Sequence, residues 1–260
     1  MMSTDRVVPL LQAPWRSGTG APFPVTPLPG LQPKAIQGLK PDFPGILSTE
    51  MRSLLRTSCG LAGADLGSID FTSRWFSEEP LSVFRPCLTL AVDDEGRRWI
   101  AETSRRAGLP GPVWCVFADP DVAVYVCDDL GAFLSRLHGR VRSGRMLRWL
   151  RKLDAEARAV WTLREILALR SQDSCRSDSA IRDWLRGIPY EAWLYDLRAP
   201  SAARGWPYGL AGPDGRLDRC GRLPVFAVAG CSQSRRTPYM PEIAGAHALR
   251  RPAMGEQRPS

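Results

Sequence analysis

The densest run of carboxylates in the chain, Asp93-Asp94-Glu95, stands directly before Gly96. Acidic residues so placed hold a divalent cation, face a basic partner, or lie solvated at the tip of a hairpin. A calcium loop of the EF-hand kind needs oxygen ligands at alternate positions before its glycine and a glutamate six residues after it. Five residues before Gly96 stands Ala91, and Glu102, six after it, falls in a strand-forming run. The calcium reading fails on spacing, which leaves a plain hairpin loop, an exposed acidic recognition loop or a weak magnesium contact. A second concentration of charge has the opposite sign: Arg140, Arg142, Arg145, Arg148 and Arg151, followed by Lys152. Such a run contacts phosphates on nucleic acid, meets an anionic membrane surface, or forms the solvated face of a helix. Helical spacing separates these arginines from an apolar stripe of Leu147, Leu150, Ala157, Val160 and Trp161. Few aromatics interleave them, which favours the solvated face over nucleic acid.

Residue types suited to catalysis are sparse. Of the two histidines, His138 falls at the end of a helical pattern, where its cation would favour the helix dipole, and His247 lies in a tail of low order. Neither has a Ser or Cys partner at an interpretable spacing. The nucleophile turn G-x-S-x-G, the phosphate loop G-x-x-x-x-G-K-[ST] and the dinucleotide fingerprint G-x-G-x-x-G are all missing from the sequence. The seven cysteines are odd in number and form no C-x-x-C pair, and Cys87, Cys115 and Cys127 sit among apolar residues. Reduced cysteines in such surroundings behave as small hydrophobes, so a reducing compartment is expected rather than a zinc site or a disulfide framework. No cofactor, metal or small-molecule substrate is implied, and the expectation is a protein that is not an enzyme.

Charge is divided unevenly along the 260 residues. Residues 41–138 carry 9 Arg against 14 Asp and Glu, whereas residues 139–260 carry 22 basic against 12 acidic side chains. An asymmetry of this kind informs about partners rather than fold. The N-terminus has an apolar run too short and too Pro-broken for a signal peptide, and no stretch reaches the ~18 apolar residues of a membrane span. A cytoplasmic location is expected.

The elements that would position these charges read as follows. Residues 1–44, with spaced prolines in "APFPVTPLPGLQPK", are expected to be a loosely ordered leader. A helix follows, with Ser48 or Thr49 as N-cap and Gly60 as its stop. "GSIDFTS" and "LTLAV" read as strands, "RRWIAET" completes a hairpin across the acidic turn, and "GPVWCVFADP" and "AVYVCDD" form two more strands. "DDLGAFLSRLHG" is an amphipathic helix capped by Asp128 or Asp129 and ended by Gly139. Beyond it come one or two long basic helices, a short helix in "SDSAIRDWLRGIP", and strands in "EAWLYDLRA" and "LPVFAVAG". The segment between those strands, "RGWPYGLAGPDGRLDRCGR", reads as a long loop, with Trp206 as a candidate surface anchor. Four units are expected: a leader at 1–44, an α+β domain at 45–139, a basic accessory unit at 140–235, and a flexible tail at 236–260.

The stretches "FPGILSTEMRSLLRTSCGL", "GSIDFTS", "LTLAVDDEGRRWIAET" and "GPVWCVFADPDVAVYVCDDLGAFLSRL" together resemble the SUKH superfamily, the Smi/Knr-like domains of yeast cell-wall regulators and their bacterial relatives. The pattern is a first helix stopped at Cys59-Gly60, a strand-turn-strand with an acidic glycine-containing turn, a strand opening on Gly-Pro-Val, and a terminal helix with Phe133 and Leu134. The chain departs from it in lacking an Asn before Gly60 and in carrying Arg97 after the turn glycine. The resemblance covers roughly residues 43–138 and implies an α+β fold, a bent mixed sheet flanked by helices, without catalysis. It further implies an immunity protein that binds and occludes a cognate toxin, such as a basic nuclease domain, or else a scaffold or regulatory partner. On charge and expected exposure, the contact residues would be Asp70, Glu78, Glu79, Asp93, Asp94 and Glu95.

Overall fold

The computed structural model describes residues 4–13, 15, 25–40, 47–64, 66–72, 81–84, 86–103, 109–198 and 204–231. In chain order the elements are α1 (Thr4–Gln12), β1 (Thr26–Pro27), α2 (Pro33–Gly38), α3 (Thr49–Thr57), β2 (Gly60–Ala64) and β3 (Gly67–Asp70). Then follow β4 (Cys87–Val92), β5 (Arg98–Glu102), β6 (Val113–Ala118), β7 (Asp121–Cys127), α4 (Leu130–Arg142), α5 (Met146–Thr162) and α6 (Arg164–Ser177). The chain continues through α7 (Arg182–Leu185), β8 (Trp193–Asp196), β9 (Gly205–Trp206), β10 (Ala211–Arg219) and β11 (Val225–Cys231). The fold is α+β, as expected. Its strands form three sheets, β1-β2-β3, β4-β5-β6-β7-β9 and β10-β11-β8, and every pairing among the described residues is antiparallel rather than mixed.

The five-stranded sheet is buried on both faces, which explains why its strands read as continuous apolar runs. Side chains alternate across the pleat. Leu88, Leu90, Trp99, Cys115 and Val124 point into a core shared with α1, α3, α4 and α5. Ile100, Trp114, Val116 and Ala123 point the other way, onto Tyr195, Phe226 and Val228 of the β8-β11 sheet. The far side of that second sheet packs Leu194, Val225 and Ala227 against Cys175 of α6 and Ile181.

Several local expectations require correction. Residues 1–44 are not a loose leader where they are described: α1 places Val7 and Leu11 in the first core, and Trp15, Val25 and Ile36 are buried with them. Pro33 opens α2 and Pro27 ends a two-residue edge strand, places that cost little, whereas Pro9 lies inside α1. Ser48 caps α3 by accepting from the Met51 amide at 3.1 Å, but the helix ends at Thr57 and Gly60 opens a strand. Asp129 caps α4 through the Ala132 amide at 2.8 Å. That helix runs through Gly139 to Arg142, and the chain turns at Gly144, whose φ is +63°. The stripe that buries α5 is Met146, Trp149, Leu150, Leu153, Ala157 and Val160, while Leu147 is 63% exposed. The expected loop after β8 contains β9, which pairs with β7, and β10, which pairs with β11. Trp206 is therefore no surface anchor: it is fully buried and stacked on Phe226, 4.4 Å between ring centroids.

Candidate functional site

The β4–β5 turn is built from its first residue outward. Asp93 directly follows β4 and is buried, and its Oδ1 accepts from the backbone amides of Glu95 at 3.1 Å and Arg97 at 3.0 Å. Its Oδ2 accepts from Arg97 Nε at 2.7 Å and from Trp99 Nε1 at 3.2 Å. Gly96 closes the loop at φ +76°, a conformation strained for any residue with a Cβ, and its amide donates to the Asp93 carbonyl at 2.9 Å. A hairpin turn was legible in the sequence; the inward carboxylate was not.

Arg97 carries the network to another element. Its guanidinium, 6% exposed, bonds Asp154 of α5 at 2.7 Å as well as Asp93, and Glu95 lies at 3.4 Å. Burial opposes the Arg97 charge, but the hydrogen bonds it donates to Asp93 and Asp154 outweigh it and hold its pKa above the ordinary value. A buried pair of this kind is retained when geometry is good and the remaining donors are satisfied. The signal that could have found it is the spacing of Asp93 and Arg97 across the turn; Asp154, 57 residues further on, has no local signal.

The six residues expected to contact a partner are thus distributed unevenly. Asp94 and Glu95 stand exposed at the tip of the turn, the Glu95 side chain 69% accessible. Asp93 is buried, so it supports the turn instead of offering charge to a partner. Asp70 is exposed at the end of β3, where its Oδ1 accepts from the Thr72 amide and hydroxyl. It is not part of the turn, because the other end of β3, at Gly67, lies beside the Val92 carbonyl, and three residues of strand span about 10 Å. Glu78 and Glu79 lie outside the described residues.

The arginine run is exposed throughout. Arg140, Arg142, Arg145, Arg148 and Arg151 all face solvent on α4, α5 and the turn between them, with Trp149 pointing into the core. His138 lies inside α4 rather than at its end, edge-on to Trp15, and burial together with Arg142 lowers its pKa below 6.5. The shift favours the neutral imidazole, and the residue does not stand at the helix terminus. Burial also raises the thiols: Cys127 is pushed up to about 12, Cys175 to about 11, and Cys115 well above the usual range. Thiols so placed stay protonated and act as hydrophobes. Among the described residues no group of three or more His, Cys, Asp or Glu side chains is arranged to hold a metal, and no helix is long and apolar enough to cross a membrane.

Comparison of the chain with protein-family models, with curated proteins and with solved structures gives no match in any of the three.

Proposed function

We propose that this chain is a non-enzymatic binding protein, an immunity protein that captures a cognate toxin and occludes it, with the β4–β5 turn as a principal contact. The observation that carries the reading is the construction of that turn. Asp94 and Glu95 project into solvent from a loop whose base is fixed by the Asp93–Arg97–Asp154 network. Anions held in place before binding lose little conformational entropy when a basic surface docks, and they steer its approach. An interface of standard size, about 1,600 Å², would extend over neighbouring elements. The resemblance to the SUKH superfamily supports the same role, with a basic nuclease domain as the expected kind of toxin.

The test is capture by tagged full-length chain from lysate of its host, with and without nuclease treatment, beside a variant with Asp94→Ser and Glu95→Ser that leaves Asp93 intact. The reading requires one stoichiometric protein, retained at about 0.5 M salt where surface charge is screened, and markedly depleted in the variant. Equal capture by both proteins removes the turn from the interface. Recovery of nucleic acid without a protein partner moves the function to the exposed arginines of α4 and α5.

A further inference from the structure

Five arginines that are scattered in the sequence converge on one cleft. Arg136 comes from α4, Arg198 follows β8, Arg204 precedes β9, Arg219 ends β10 and Arg222 lies in the turn to β11. The cleft encloses about 510 Å³. It lies at the Glu102 end of β5, whereas the acidic turn joins the Arg98 end, about 14 Å away along the strand.

The charges around the cleft are only partly answered by carboxylates, and Arg222 acts together with Arg219 in favouring the charged form of Glu102. Arg198 is held by Asp178 and Asp196, each at 2.7 Å, and Arg219 by Glu102 at 2.7 Å. Arg136 places Nη1 on a neutral acceptor, the Val126 carbonyl, at 2.6 Å. Arg204 is exposed and, among the described residues, its side chain makes no hydrogen bond or ion pair, while its backbone carbonyl accepts from the Tyr125 amide. The carboxylate on the lining is Asp128, which takes the Tyr125 hydroxyl as a hydrogen-bond donor. Positive charge in a concavity with low-dielectric walls draws an anion, and guanidinium forks match phosphate oxygens in pairs.

The remaining lining sets the size and character of the ligand. Tyr125, Leu197 and Pro224 add apolar surface to the lining, with the fully buried Trp114 behind them. The volume falls within the roughly 300–1,000 Å³ typical of sites for small organic molecules and far exceeds what an inorganic anion fills. We propose that this cleft binds an organic phosphate of nucleotide size, its phosphates on Arg136 and Arg204 and its planar group along Tyr125 and Pro224.

The test is calorimetric titration of the full chain with ADP, inorganic phosphate and adenosine in turn, at low salt. The proposal requires saturable one-site binding of ADP, at least tenfold tighter than phosphate, and no heat with adenosine. Arg204→Gln, at an exposed side chain, should weaken ADP about tenfold or more, the size of a lost charge-assisted hydrogen bond, without shifting the melting temperature. Arg216→Gln, an exposed arginine of β10 outside the cleft, should leave ADP binding unchanged. Heats that never saturate, equal affinity for phosphate, or an equal loss in Arg216→Gln would each overturn it.

Discussion

Asp93 and Glu95 are two residues apart in one turn, and burial alone makes them do different work. The Asp93 side chain is 1% exposed and satisfies two backbone amides, a guanidinium and an indole N–H. Asp93→Ala leaves Arg97 buried beside Asp154 with half its partners gone, and removing one member of a buried pair costs about 3–5 kcal/mol. Glu95→Ala removes an exposed carboxylate 3.4 Å from the same guanidinium, a contact of about 0–1 kcal/mol. Urea unfolding followed by tryptophan fluorescence separates the two: Asp93→Ala should lower the midpoint sharply, and Glu95→Ala should leave it near that of the parent chain. A loss below about 1 kcal/mol in Asp93→Ala would show that the network is not what anchors the turn to α5.

At the scale of the element, Gly96 and Gly139 form a matched pair. Both are exposed, and a Cβ added at either meets no atom within 4 Å. They differ in backbone: Gly96 has φ +76°, whereas Gly139 lies within α4. Gly96→Ala should cost about 1–2 kcal/mol by forcing an L-residue into the left-handed region. Gly139→Ala should gain up to about 1 kcal/mol by helix propensity. Opposite shifts in the denaturation midpoint are the expected result, and a loss in Gly139→Ala would mean that α4 ends where the glycine first suggests. The same glycine shows what the sequence could convey about elements. The β4–β5 and β6–β7 hairpins were legible because their apolar runs flank residues with plain turn chemistry. The α3 and α4 caps were legible because Ser48 and Asp129 stand directly before amphipathic runs. The strand β10 was not, since its sequence AGPDGRLDR has the composition of a loop and gains its order by pairing with β11. Likewise α1 and α2 are fixed by burial in a core whose other walls come from α3 and α4, which no local pattern announces.

At the scale of the whole molecule, the question is whether residues 1–139, which hold the acidic turn, stand as a unit. The first core says otherwise. Met146, Leu150, Leu153 and Val160 of α5 are buried against the sheet, and Trp149 packs on Trp99 with ring centroids 5.4 Å apart. On the opposite face, Trp114 is covered by Phe226 and Phe84. Each aliphatic side chain withdrawn from water contributes about 1.5–3 kcal/mol, while a domain's net stability is only about 5–15 kcal/mol. Ending the chain at Gly139 takes α5 from one face of the central sheet and the β8-β11 sheet from the other, removes β9 from the β7 edge and deletes Asp154 from Arg97. The fragment is therefore expected to bind a hydrophobic dye strongly and to unfold without a cooperative transition, whereas the full chain melts in one. A fragment with its own sharp transition and native near-ultraviolet dichroism would show that the α5 face is an accessory, and the acidic turn could then be studied without the basic half. The two halves of opposite charge otherwise form one folding unit, joined where Arg97 of the acidic half meets Asp154 of the basic one. Each half thus lends the other a side chain of its own minority sign.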